Sequence, residues 1–256
     1  MYSEKKQILI TVKAYPNPST KYEETVCCAE VDLSNYQLIR LYPIPFRDLD
    51  YSKQFKKYTI IEVACDKSKD DHRQESFHID FNTIKVIKEI NTKNNWDERK
   101  SIVLKLSVKS MCQVNRDVEN KFSLGLIKPY NISFDYKKQN CLDQEEREAC
   151  YSQLSFFDKA KDAIEKIPYV FYYMFYCQNE PDCPGHKLSI IDWEIVQAYR
   201  KWRAESLIET DALQKIKQKW LDMANVEKKD VYFYVGNMKR FPKQFMVLGV
   251  FYPPII

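Results

Sequence analysis

The sequence predicts a mixed α+β fold: an N-terminal curled antiparallel sheet or small β-barrel, then a helix and strand part that closes on a β-hairpin. Three observations carry that expectation. β-Branched and aromatic runs, separated by charged or turn-forming segments, recur through residues 1–138. Apolar residues at helical spacing recur between 143 and 224. Two strongly apolar runs, 231–236 and 245–252, end the chain. The division falls into a β-rich part, 1–138, and an α+β part, 139–256, which form either two domains or one compact unit.

In the first part, strands are expected over 7–15, 25–33 and 37–45, with Ser34 and Asn35 turning the second into the third. Further strands are expected over 58–65, 77–90 and 101–108, with charged loops over 67–75 and 91–100 between them. A short helix over 109–121 follows, then a strand broken at Lys128 and Pro129. His72 and His78 stand apart from any cysteine and read as surface or strand residues.

The second part opens with Asp143 as a helix N-cap and Cys150, Leu154, Phe157 and Ile164 on one stripe. Pro168 stops that helix, because the residue before proline avoids helical dihedrals. The aromatic run 169–176 is too short to cross a membrane and fits a central strand. After it, Asp192 caps a helix to about 204 that buries Ile195, Tyr199 and Trp202. A second helix over 211–224 buries Leu213, Ile216, Trp220 and Met223 and exposes Lys215, Lys217 and Lys219. Residues 237–243 read as a long basic hairpin loop.

The chemically richest stretch, 177–194, lies between the aromatic strand and the first of these two helices. Cys177, Cys183 and His186 offer two thiolates and an imidazole, the soft donors that suit tetrahedral zinc. Pro181, Pro184 and Gly185 bend the loop so that these donors can meet. Five residues separate the two cysteines, wider than a zinc-finger knuckle, and the fourth donor must come from elsewhere. Cys150 or Cys141 is the expected source, with Cys112 ranked behind them. Four thiolates from Cys141, Cys150, Cys177 and Cys183 would instead suit a 4Fe-4S cluster. Cys177 could also simply end a buried strand.

Composition bounds the partners. Lys plus Arg number 40 against 36 Asp plus Glu, a net +4, so any basic surface must be local. Arg40, Tyr42 and Arg47 place cations beside an aromatic, as do Lys239, Arg240 and Phe241, and Arg203 adds charge on a helix face. That pairing of guanidinium or ammonium with ring is the one that grips phosphate and stacks on bases. Four glycines leave no phosphate-cradling loop, which disfavours nucleotide hydrolysis. Eight cysteines without a secretion signal or a membrane span point to a reducing, cytoplasmic setting, where Cys27 and Cys28 are expected to pack in the core.

Three functions are compatible with these features. The first is a nucleic-acid-binding protein with a structural zinc site. The second is a metal-dependent nuclease or hydrolase in which Glu194 acts as base beside His186 and Asp192, although both carboxylates also sit where a helix N-terminus wants them. The third is a protein-interaction subunit.

Overall fold

The computed structural model describes residues 4–14, 17–19, 23–46, 49–117, 122–139, 167–239 and 241–255. The expected helix over 143–167 with Cys150, and Cys141, Arg47 and Arg240, lie outside the described residues, as do the side chains of Cys27 and Cys28.

Six strands build the first part: β1 (Glu4–Ile10), β2 (Asn17–Ser19), β3 (Glu23–Asp32), β4 (Gln37–Ile44), β5 (Thr59–Lys67) and β6 (Ser76–Glu89). Their order, β1-β5-β6-β4-β3, returns to β1 through the pairs Ile8↔Asp32 and Ile10↔Glu30, so five strands close a barrel. All pairings are antiparallel except β4 with β6. Strand alternation sorts the side chains: Ile8 and Ile10 point into the barrel with Ile39, Leu41, Ile61, Val63 and Phe77, while Leu9 points out of it.

The segment expected as a charged loop and a strand over 101–108 is helix α1 (Lys93–Val103). A left-handed turn at Asn94, Asn95 and Trp96 (φ 50°, 53° and 65°) introduces it. The helix wins because it puts Arg99, Val103 and Leu106 on one side of the chain. Val103 and Leu106 are buried, and Arg99 Nη2 donates to the Ile90 carbonyl at 2.7 Å while its guanidinium lies 3.9 Å from the Tyr58 ring centroid. The β-branched residues Ile102, Val103 and Val108 carried the strand signal; the helix is paid for by packing.

The second part is a seven-stranded sheet. Its members are β7 (Val108–Lys109), β8 (Leu124–Ile127), β9 (Pro129–Lys138), β10 (Tyr169–Cys177), β11 (His186–Ile190), β12 (Tyr232–Met238) and β13 (Phe241–Phe251), in the order β7-β8-β12-β13-β11-β10-β9. β8 and β9, placed by the sequence reading before the break near 138, thus belong here: Phe233 pairs with Ile127 and Phe171 with Tyr136. Their inner residues Ile127 and Phe134 join the core of this sheet.

Helices α2 (Met111–Asp117), α3 (Trp193–Glu205) and α4 (Glu209–Met223) accompany the sheet. α3 starts where expected, with Asp192 Oδ1 accepting from the Glu194 N–H at 3.0 Å. Glu209, in the first turn of α4, accepts from Tyr199 Oη at 2.8 Å and Tyr169 Oη at 3.1 Å, tying both helices to β10. α4 buries Leu213, Ile216, Trp220 and Met223 as its spacing predicts.

The hairpin β12–β13 is tighter than expected. Met238 pairs with Phe241, so strand pairing extends into the segment 237–243 expected as a basic loop, and the chain from Phe241 onward is strand. Asn237 explains the change: it is buried, its Nδ2 donates to the Pro242 carbonyl at 2.6 Å, and its own carbonyl accepts from Arg73 Nη1 at 2.9 Å.

Barrel and sheet share a core. Leu9, Val12, Val31, Tyr58, Val103 and Leu106 pack with Leu126, Tyr232, Tyr234, Leu248 and Phe251 in one buried cluster. Two polar locks flank it. Arg40 Nη2 reaches Ser123 Oγ at 2.9 Å, and Glu75 accepts from the Ser123 N–H and hydroxyl. Lys57 Nζ lies 2.6 Å from Asp192 Oδ2, with Asp192 buried and the Lys57 side chain 13% exposed. Removing one partner of such a pair costs about 3–5 kcal/mol, because the other is left charged out of water. No helix among the described residues is long and apolar enough to cross a membrane.

Candidate metal centre

β10 alternates Phe171, Tyr173, Phe175 and Cys177 toward the core, which delivers the Cys177 thiol to the inner face at the end of the strand. The chain then turns through Asn179 (φ 65°) and Gly185 (φ 80°), with the Cys183 N–H donating to the Glu180 carbonyl at 3.0 Å. It returns as β11, whose first residue, His186, pairs with Phe175. Gly185 is required twice over: its φ is left-handed, and an added Cβ would lie 3.2 Å from Tyr176 Cε1.

The fourth donor comes from α2. Met111 and Val114 are buried on its inner side, and Val114 seats against Gly125 of β8, where a Cβ would come within 2.9 Å of Val114 Cγ2. This close approach puts Cys112 over the knuckle. His186 Nε2 lies 3.3 Å from Cys177 Sγ, 3.3 Å from Cys183 Sγ and 3.4 Å from Cys112 Sγ. Cys177 Sγ and Cys112 Sγ are 3.9 Å apart, and all four donor atoms lie within 4.8 Å of one another.

Those separations match a single tetrahedral ion. With metal–sulfur and metal–nitrogen bonds near 2.3 and 2.0–2.1 Å, tetrahedral edges come to about 3.8 Å between sulfurs and about 3.5 Å between sulfur and nitrogen. Glu180 reinforces the arrangement from outside: its Oε1 accepts from Ser110 Oγ at 2.6 Å and Arg116 Nη2 at 3.1 Å, clipping the knuckle to both ends of α2. These bonds, from Ser110 first, hold the Glu180 carboxyl below its usual range.

The protonation balance of the bare donors is also informative. Burial, with help from Cys183 and Cys177, pushes the Cys112 thiol up to about 12, and burial raises Cys177 as well. Cys183 is burdened by burial too, yet backbone hydrogen bonds at Cys177 and Gly185 bring it below its ordinary value. Burial lowers His186, keeping its imidazole neutral with a lone pair to offer. Three sulfurs and one neutral imidazole nitrogen would hold a cation here, and a bound cation would favour the thiolate forms of Cys112, Cys177 and Cys183.

Of the expected donors, Cys177, Cys183 and His186 converge, and among the described residues Cys112 stands at the fourth corner; Cys150 and Cys141 lie outside the described residues. No sequence signal near 177–186 identifies Cys112; the sheet order does, by carrying α2 to the end of β10. The described donors, within 4.8 Å of one another, suit one ion; the 4Fe-4S alternative draws on Cys141 and Cys150, which lie outside the described residues.

The hydrolytic constellation does not assemble. Asp192 lies six strand residues beyond His186, about 20 Å along the chain at 3.3 Å per residue. It is buried on Lys57, which also meets Glu194 Oε1 at 3.3 Å. The residues expected to contact nucleic acid scatter. Arg40 is buried on Ser123 and offers nothing to a surface. Tyr42 and Phe241 are exposed, at 41% and 45%, as are Arg203 and Lys239, the latter donating to the Asp70 carbonyl.

Two family models match the chain. One, described as Domain of unknown function (DUF8758), covers residues 4–105. The other, described as Domain of unknown function (DUF8757), covers residues 106–255. The junction coincides with the passage from α1 to β7, so the barrel falls to the first and the sheet with its metal centre to the second. No curated protein matches the chain.

Proposed function

The chain belongs to the DUF8757 family, whose model spans more than half of it, and from that premise we propose a nucleic-acid-binding protein in which the Cys112–Cys177–Cys183–His186 centre holds a structural zinc ion. The carrying observation is the closed donor set. Four protein donors would complete a tetrahedron around one ion and leave no position for water or substrate, which favours a structural over a catalytic zinc site. Softness of three thiolates and an imidazole favours zinc over magnesium or calcium. Bound there, the ion would cross-link α2 to the β10–β11 turn. Cys65 as a buried thiol and three cysteines placed as metal donors rather than in disulfides fit a reducing compartment, which supports a cytoplasmic location.

The nucleic-acid reading is supported by the exposed Phe241 two residues from the exposed Lys239, by Lys201 and Arg203 on the outer face of α3 and by Lys215, Lys217 and Lys219 on that of α4. A second reading, a protein-interaction subunit, draws on Leu207 and Ile208, which are 100% and 60% exposed on the α3–α4 connection. Two apolar side chains fall far short of the roughly 800 Å² per partner that a stable protein interface buries, so we prefer the first.

Metal analysis of purified protein should return about one zinc per chain with no visible absorbance; stoichiometric iron with a charge-transfer spectrum would overturn the zinc assignment. Filter binding against single- and double-stranded oligonucleotides should show association that weakens steeply with salt. No association even at low salt would remove the nucleic-acid reading and leave the metal reading standing.

A further inference from the structure

Between α3, α4 and the chain leaving β13 lies an open groove of about 480 Å³. Trp202, Met223 and Tyr252 give it an apolar lining, and Lys215, Lys219 and Lys229 give it charge. The volume falls within the range of small-ligand sites, about 300–1,000 Å³. We propose that this groove seats one nucleotide unit of a single-stranded nucleic acid, with the base against Trp202 and Tyr252 and the flanking phosphates on the three lysines. The inference rests on the nucleic-acid reading above and names the surface that reading lacks.

The arrangement of cations and rings carries it. Lys219 Nζ stands 5.6 Å from the Trp202 ring centroid and 5.1 Å from that of Trp220, while Lys229 Nζ stands 4.7 Å from that of Tyr252. Among the described residues these two ammonium groups are held over aromatic faces and form no salt bridge with a carboxylate, which keeps positive charge available at the groove. The one carboxylate in the lining, Asp222, accepts from Gln218 Nε2 at 2.9 Å. Three lysines against one aspartate make the groove locally basic on a chain whose net charge is only +4. Tyr252 is braced edge-on by Trp96 at 5.0 Å, and Trp202 packs partly into the α4 core, so both rings are fixed in orientation before any ligand arrives. Pre-positioned rings with loosely committed ammonium groups suit a ligand that alternates flat bases with phosphates. A duplex hides its base faces and cannot use the rings.

The test is fluorescence anisotropy with a labelled 12-mer oligodeoxythymidine over a salt series, repeated with the matching duplex and with inorganic polyphosphate as competitor. Wild-type protein should prefer the single strand to the duplex. The double variant Lys215→Ala/Lys229→Ala, which removes two phosphate partners, should lower the slope of log affinity against log salt by about 1.4. Trp202→Ala should weaken binding about tenfold, and Trp202→Leu, which refills the packing without a ring, gives the same reading if the alanine variant fails to fold. Wild-type protein that binds no oligonucleotide overturns the groove and the nucleic-acid function together. Binding that survives intact in the lysine and Trp202 variants overturns the groove alone. Equal preference for duplex, or competition by polyphosphate at equal charge, overturns the base-stacking assignment.

Discussion

Replacing Cys112 by serine tests the metal centre where structure and sequence differ most. Serine preserves the size of the side chain on α2 but removes one of the three thiolates that lie within 4.8 Å of each other and of His186 Nε2. A bound ion stabilises the fold by RT ln(1 + [metal]/Kd), about 4 kcal/mol when free metal stands at a thousand times Kd. If loss of one donor abolishes occupancy under those conditions, the whole amount disappears. At about 2–4 °C per kcal/mol for a chain of this size, the melting temperature should fall by about 8–16 °C. The same drop should follow chelation of the wild-type protein, and the variant should no longer respond to chelator. Metal content by mass spectrometry and melting by scanning fluorimetry, each with and without chelator, read both effects. Cys150→Ser and Cys141→Ser serve as contrasts and should retain about one equivalent. Full metal content and an unchanged melt in Cys112→Ser, with loss in Cys150→Ser or Cys141→Ser, would refute the assignment of the fourth corner.

Two further outcomes follow from neighbouring features. Gly185→Ala places a Cβ at φ 80° and 3.2 Å from the Tyr176 ring, so it should cost about 1 kcal/mol or more and weaken metal retention in a chelator competition; an unchanged half-life for metal loss would show that the turn tolerates the strain. Burial opposes ionisation of Asp71, yet hydrogen bonds from Arg73 and Ser76 hold its carboxyl at about 2, below the ordinary 3.8. Because that folded value lies below the unfolded one, the stabilisation is complete above about pH 4 and is lost as pH falls toward 2, amounting to about 2 kcal/mol. Asp71→Asn should flatten that part of the acid-denaturation curve, and a curve parallel to wild type would remove Asp71 from the account.

How much of this was legible beforehand depended on the range of the interaction. Alternation along single segments located β3, β4, β5, β6 and β10 to within a few residues, because the period of two is written locally. Barrel closure is only one of two options in the sequence, since it rests on β1 pairing with both β3 and β5, a choice made by residues about twenty to sixty positions apart. The α1 segment resembles a strand through Ile102, Val103 and Val108, and only Tyr58 and Phe251, distant in sequence, supply a surface for a helical face. Strand β11 has little local signal, as its five residues carry only Leu188 and Ile190 as apolar side chains. At the metal centre, the three donors within ten residues were visible from proline and glycine placement. Cys112, sixty-five residues before Cys177, was not. Arg40 shows the converse error: a cation beside exposed-looking aromatics in sequence is, in space, the buried partner of Ser123.

β11 has a consequence of its own. The short run from His186 to Asp192 begins at the ion site and ends at the Lys57 lock, and between them it is paired on both sides, to β10 and to β13. Such a tie rod has one admissible length: deleting a single residue from 187–191 would satisfy either anchor but never both, and would turn every intervening side chain to the opposite face. The segment should therefore tolerate substitution far better than any change in its residue count, and metal loss and barrel detachment should appear in the same deletion variants.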